Sequence, residues 1–515
     1  MCYRKNIRLA MIVMLFIMSG KDNSIAQAPK DAVMVDAAEI NMLRVAVEKN
    51  PNSTEAHEAY IKALGFTKWN APDNPGLVKQ YEEWMKKFPD SAVVPYALGH
   101  AYISKESPKA KPYLLKAVEI DPKFDKAWYD LYSDAQRWGN MEKGREYLAK
   151  AVAAEPGNVR YAVMYAYSFK NVDRELWIKK TWELTKKFPN DEQAAAALFS
   201  MGFSMTDRRK KIEIYEQLRV LYPPGKTFYT VVAMTRLIDE YIREGKTDKV
   251  IELVKAVGNK EDHKELLFPE KLKLVMELAD IEKKMKEEKY MEAKELMMVL
   301  KLPHGYNINL GNYIVLLQAS IFDKAGSTKN AYDSLLAFQV KIPDDAVRVA
   351  LGKYGSKLKK NNEQIENDIR SALLNNSRQA PPFELGLYTS DKKARLEDFR
   401  GKVILLTFWF PGCSLCRAEM PHFQNVVNKY DKKDLVYIGI NVTPEQDDYV
   451  LPFMKGTKYS FIPLRATDKW AKEIYNIRGE PTNFIIDQKG KIVYSDFRIA
   501  EDNEHMLELM INSLI

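Results

Sequence analysis

The sequence predicts a multidomain chain, an all-α array of helix pairs followed by a C-terminal α/β domain. Three observations carry this reading. Prolines that close amphipathic runs recur at a nearly constant interval through the first half of the chain. Near residue 378 the apolar pattern changes from helical spacing to short β-rich runs that alternate with helices. The most β-like of those runs leads directly into two of only three cysteines in 515 residues, Cys413 and Cys416.

Length and charge agree with that division. A chain of 515 residues is too long for one ordinary hydrophobic core. Its formal charge of +8 is a small excess of 78 basic over 70 acidic residues. The two signs are mixed in runs such as "IEKKMKEEKYMEAKE", a pattern that argues against a nucleic-acid surface.

The first residues read as a secretory signal peptide over 1–26: Arg4, Lys5 and Arg8, an apolar run from Leu9 to Met18, then small and polar residues. That run is too short to cross a bilayer, which takes about 20 residues. Cleavage is expected after Ala26, because cleavage after Ala28 would leave Pro29 at the new terminus. The alternative is an uncleaved anchor. No later stretch is apolar enough to span, so the expectation is a bacterial protein exported to the periplasm and left with one cysteine pair. In that compartment disulfide chemistry is not held down by the cytosolic thiol pool.

Pro51, Pro89, Pro122, Pro156, Pro189 and Pro223 each follow an amphipathic run, at spacings of 38, 33, 34, 33 and 34 residues. In "DKAWYDLYSDAQRWGNMEKGREYLAKAVAAEP", Trp128 and Leu131 begin the apolar face of a first helix. Gly139 and Asn140 make the turn, and Gly144, Leu148 and Ala151 line a second helix that Pro156 stops. This unit resembles the tetratricopeptide repeat, and Gly326, Ala331 and Pro343 fall at the same offsets in a later unit. Elsewhere the match weakens, with Val250 and Val257 in place of small residues. The array is expected over 35–355, with core packing as the reading for Trp84, Trp128, Trp138 and Trp182. Such arrays present a concave surface that suits a protein partner; the plainer reading is a spacer or dimer scaffold. A last helix and linker occupy 356–379, where "NNSRQAPP" cannot stay helical.

In the remaining 380–515, "KVILLTFWF" suits a strand buried on both faces. A helix follows from Ser414 to about Tyr430, then the strand "LVYIGINV", a further helix, a hairpin from "NFIID" and "KIVYSDF", and a closing helix from Asn503. That order is the one found in thioredoxin-like folds. Cys413 stands where strand gives way to helix, so free amides and the positive end of the helix dipole lower its thiol pKa. Cys416, one turn on, is set to attack a mixed disulfide and release the substrate. A bridge across so short a loop constrains little of the unfolded chain, which favours a redox role over a staple.

"FWFPGCSLCRAEMP", with "APPFEL" and "LEDFRGKVILL" before it and "GEPTNFIIDQKGKIV" after it, resembles the exported thioredoxin-like proteins of the TlpA and ResA type within the redoxin superfamily. The resemblance covers about a quarter of the chain. It implies that Cys413 attacks, that Cys416 resolves, that Pro481 is the cis-proline beside the disulfide, and that Glu419 serves thiol acidity and proton transfer. Four departures stand out: Pro411 and Gly412 where the family usually has Trp or another large residue, Thr407 at the buried Asp position of cytosolic thioredoxins, Glu480 before the proline, and Ser414-Leu415 between the cysteines. Glu480 would oppose thiolate formation.

Other readings of these residues are weaker. A peroxidase needs "PxxxTxxC", and no proline precedes Thr407 at that spacing. Haem attachment needs His where Arg417 stands. A zinc site lacks further cysteines, His422 reads as a surface residue, and His505 adds little to a copper-chaperone reading. The serious rival is a non-enzymatic interaction scaffold with a passive thioredoxin-like module. The expectation is therefore an exported thiol–disulfide oxidoreductase, reductase or exchanger, without cofactor or metal. Its partners would be protein thiol or disulfide substrates, an upstream electron donor, and a protein held by the repeats.

Overall fold

The computed structural model describes residues 36–66, 73–257, 268–302 and 310–515. The signal-peptide reading, 1–26, lies outside the described residues. Within them, helices follow one another from Ala37 to Asn375, and strands begin at Arg378.

The periodic prolines mark helix ends. The six lie two residues beyond the helices that finish at Lys49, Lys87, Ile120, Ala154, Lys187 and Leu221. Proline there cannot donate the next helical hydrogen bond, so each run stops at the same phase. In the best-matched unit, helices Asp125–Arg137 and Met141–Ala154 pack through Leu131, Leu148 and Ala151, all fully buried. A Cβ on Gly144 would press against Gln136 and Tyr132, so that glycine sets the close crossing. The poorly matched unit forms a helix pair all the same, Phe228–Arg243 and Thr247–Val257, with Val250 and Val257 buried where small residues were expected.

The C-terminal domain holds a six-stranded mixed sheet in the order β1-β8-β7-β4-β5-β6, with a separate β2–β3 hairpin. Its strands are β1 Arg378–Gln379, β2 Glu384–Gly386, β3 Lys393–Arg395, β4 Val403–Trp409, β5 Leu435–Asn441, β6 Ile462–Arg465, β7 Thr482–Ile486 and β8 Lys491–Ser495. Its helices are α1 Ser414–Val427, α2 Asp447–Thr457, α3 Asp468–Tyr475 and α4 Glu504–Asn512. Central β4 runs parallel to β5 and antiparallel to β7, and all seven of its residues are buried. One face, with Val403 and Leu405, shares a core with Phe423 and Leu507; the other, with Ile404, Leu406 and Phe408, packs against Ala471 and Tyr475. β6 and α3 were not read from the sequence, and β1 pairs with β8 just ahead of the expected start at 380.

The array is docked on this domain. The end of helix Asp125–Arg137 meets α2: Tyr449 Oη donates to Asp134 Oδ1 at 3.1 Å, and the Trp138 and Tyr449 rings lie 4.7 Å apart, edge to face. Trp138 thus packs across the domain boundary and not in the array core as expected, whereas Trp84 and Trp128 are buried in that core. Gly139, at φ 71°, turns so close to α2 that a Cβ would strike the Phe453 backbone. Arg174 and Lys170 reach Glu501, and Lys211 reaches Asp502 at 3.5 Å. No helix among the described residues is long and apolar enough to cross a membrane.

Asp134 gives this interface a pH dependence. Burial raises its carboxyl from 3.8 to about 6, against the opposing effects of Tyr449 and Arg137. A folded pKa above the unfolded one means that the stabilisation is complete below about 3.8 and is lost as pH rises through about 6. Asparagine in its place stays neutral and still accepts from Tyr449. The thermal midpoint of Asp134→Asn minus that of the native chain should therefore grow between about pH 4 and about pH 7. A difference that is flat over that range would show the carboxyl ionised throughout.

Candidate active site

The site forms where β4 ends. After Trp409 the chain turns through Phe410, Pro411 and Gly412, and Cys413 becomes the N-cap of α1, in extended backbone at φ −66° and ψ 103°. Its Sγ accepts the Cys416 amide at 3.1 Å, and its own amide donates to Phe410 O at 3.0 Å. Cys413 and Cys416 are joined as a disulfide and are buried, 7 % and 1 % exposed. The cap places the Cys413 sulfur against the unpaired first-turn amides, where developing thiolate charge is stabilised.

Glu419 lies on α1 three residues after Cys416, 6 % exposed. Its Oε2 accepts from Asn483 Nδ2 at 2.8 Å, and its Oε1 lies 3.7 Å from Arg498 Nε. Burial pushes this carboxyl up to about 7, and Arg498 and Asn483 only partly offset it. Thr407, in mid-β4, is buried opposite Asn483. A threonine does not titrate here, so the buried acid on the cysteine helix is Glu419.

The Glu480–Pro481 peptide is cis and opens β7. β7 pairs Thr482 with Phe408, and the same register carried one step on brings Pro481 level with Trp409, at the cysteine end of β4. Glu480 is raised by burial and by Asp468, and its Oε1 has no hydrogen-bond partner. Arg417 is held down to about 10 by burial and by Arg137, and its Nη1 donates to Pro411 O at 2.6 Å.

One histidine reading changes. His422 is buried and not at the surface, because α4 packs on α1 and Glu504 Oε1 meets its Nδ1 at 2.6 Å. His505 is on α4, with Nε2 at 2.7 Å from Asp345 of the array. Sequence reasoning missed Asn483 and Arg498, which hold Glu419, and Gln446, whose Oε1 accepts the Gly412 amide at 2.6 Å. Asn483 did leave a signal, a polar residue at an inward position of an apolar strand. Arg498 and Gln446 left none.

A sequence profile of the AhpC/TSA family matches residues 377–495. The thioredoxin-like protein YneN of Bacillus subtilis is 33% identical over 115 residues, which are 22% of this chain and 66% of that protein. The thiol-disulfide oxidoreductase ResA of Bacillus cereus is 35% identical over 119 residues, 23% of this chain and 66% of the relative. The chain thus spans just under two thirds of the length of these relatives. Among solved structures, a putative thiol:disulfide interchange protein DsbE from Chlorobium tepidum is 25% identical, covering 27% of this chain and 97% of its own at a TM-score of 0.25. With the sheet order, the cysteine pair at the head of α1 and these matches to its sequence, the C-terminal domain belongs to the thioredoxin family, in its TlpA/ResA-like branch, joined here to an N-terminal helical repeat region.

Proposed function

We propose that the protein is an exported thiol–disulfide oxidoreductase that reduces or exchanges disulfides in protein substrates. The observation that carries this reading is Cys413 as the cap of α1, its sulfur facing the Cys416 amide within a disulfide, with the buried acid Glu419 three residues further along the same helix. In the reducing direction the Cys413 thiolate attacks a substrate disulfide, forming a Cys413–substrate bond and expelling one substrate thiolate. Cys416 gives its proton to Glu419, attacks the Cys413 sulfur and expels the second thiolate. Two electrons pass to the substrate, and the pair is left oxidised. A dithiol donor of lower potential then restores it. Pro481 offers backbone hydrogen bonds to the bound peptide, and the repeats hold protein partners.

The boundaries that go with this reading are a leader over 1–26, the array over 35–355, a helix and linker over 356–379 and the redox domain over 380–515, in a periplasmic protein. The passive-scaffold alternative has no use for two cysteines with a buried acid beside them. A peroxidase is disfavoured by the missing "PxxxTxxC".

The reduction potential decides the direction. In the full chain, equilibrated in glutathione buffers and alkylated, the peptide carrying Cys413 and Cys416 is followed by mass. A value near about −270 mV supports a reductase, and one near about −120 mV would make the pair an oxidant. Absence of a reversible disulfide would leave only the scaffold. Cys416→Ser should also trap mixed disulfides that vanish when Cys413→Ser is added.

Glu419 should appear in the pH profile of disulfide opening. When an external thiolate attacks Cys413, Cys416 departs and takes the proton of neutral Glu419, which is present below about pH 7. At fixed dithiothreitol thiolate concentration, the opening rate should fall as pH rises through about 7. Glu419→Gln should abolish that step and run about 10-fold or more slower at low pH. An unchanged inflection in the variant would assign it to another group.

A further inference from the structure

The array touches the redox loop itself. The turn after helix Val93–Ser104 carries Glu106 in the left-handed region, φ 53°. Gly65, Gly139, Gly245 and Gly326 occupy the turns of other helix pairs with φ between 65° and 76°. A side chain there is disfavoured relative to glycine. At Glu106 that side chain reaches the other domain. Its Oε2 accepts from Gln446 Nε2 at 2.5 Å, and its Oε1 lies 3.9 Å from Arg137 Nη2.

Gln446 is 2 % exposed, and its Oε1 takes the amide of Gly412, the residue before Cys413. With Glu106 and Gln446 in these positions, a Cβ at Gly412 would fall on the Glu106 carboxylate, so any side chain there would displace the pair. Arg417 ties the preceding carbonyl, that of Pro411. An amide side chain can present either end. A carboxylate only accepts, so Glu106 turns the NH2 of Gln446 toward itself and leaves the oxygen for Gly412.

We propose that Glu106 is a positioning residue of the redox site: through Gln446 it fixes Gly412, and so holds Cys413 in its place as the cap of α1. The inference rests on the redox reading above. It makes the repeat array a part of the site and not only a recruiting surface.

The test uses the reduced full chain, with glutathione disulfide as the probe of Cys413 and the pH dependence of its alkylation as the second readout. Glu106→Gly keeps a backbone that suits glycine and removes the carboxylate, so its thermal midpoint should not fall. Glu106→Gly and Gln446→Ala should each slow the reaction about 5- to 10-fold, and the double variant should be no slower than Gln446→Ala alone. Glu106→Gln should stay within about twofold, because its amide oxygen still accepts from Gln446. The charges around the loop are Arg137 from the array and Arg417, Glu419, Glu480 and Arg498 from the redox domain. None of them is altered. Loss of a nearby negative charge alone would lower the alkylation midpoint of Cys413. Loss of positioning raises it, because the sulfur leaves the helix amides, and the upward shift is the expected result. Native rates in Glu106→Gly, additive losses in the double variant, or a downward shift would each overturn the proposal. A native chain that forms no reversible disulfide would instead overturn the redox reading itself.

Discussion

A helix begins with amides that have no partner inside it, and in the C-terminal domain the first of them to matter is met by sulfur. The rest of the domain can be read as what holds that meeting in place. β4 must be buried on both faces and flanked by β5 and β7 to deliver Cys413 to the start of α1 at a fixed height. α1 must in turn be clamped against the sheet, which Phe423 and Val426 do from its buried face. A cysteine cap is weaker than a serine or aspartate cap as a hydrogen-bond acceptor, so the arrangement is a poor way to start a helix and a good way to acidify a thiol.

Burial on the sheet side then decides the protonation of the neighbours. Glu419 is covered so completely that its carboxyl titrates near neutral pH, although Asn483 donates to it and Arg498 lies close. Glu480 is raised as well. As charged groups beside the cysteines, both acids would oppose thiolate formation, as the sequence suggests for Glu480. Burial holds Glu419 partly neutral near pH 7 and raises Glu480 too, so their charges oppose thiolate formation less. With a carboxyl that titrates near neutral pH, Glu419 can take the Cys416 proton as the disulfide closes and return it as the disulfide opens, so it serves both halves of the exchange.

How much of this was legible depended on whether the signal was local. Helix ends were readable because proline acts on its own turn, and Pro51 through Pro223 all stand two residues past a helix. β4 was readable because a run of seven residues, all apolar but Thr407, has few other places to go. The cysteine pair was readable from its spacing and its position between strand and helix. His422 and Trp138 were misread because their environments come from chain segments far away in sequence, α4 for one and α2 for the other. β6, with only Ile462–Arg465, was too short to carry a pattern.

The same limit explains why the array looked separate from the chemistry. Nothing in "HAYISKESPKA" distinguishes Glu106 from a solvated turn residue, and nothing in "TPEQDDY" marks Gln446 as buried. The two become a unit only when the close approach of Gly139 to α2 brings the turns of the array level with the loop before Cys413. Close approach of backbones is what glycine permits and any other residue prevents, so the docking is set by two glycines, Gly139 and Gly456, each leaving space for the other's strand of chain. A repeat array built only to bind a partner on its concave face would not need such a fit at its turns. That the fit is made beside the cysteines ties the geometry of the site to the geometry of the array.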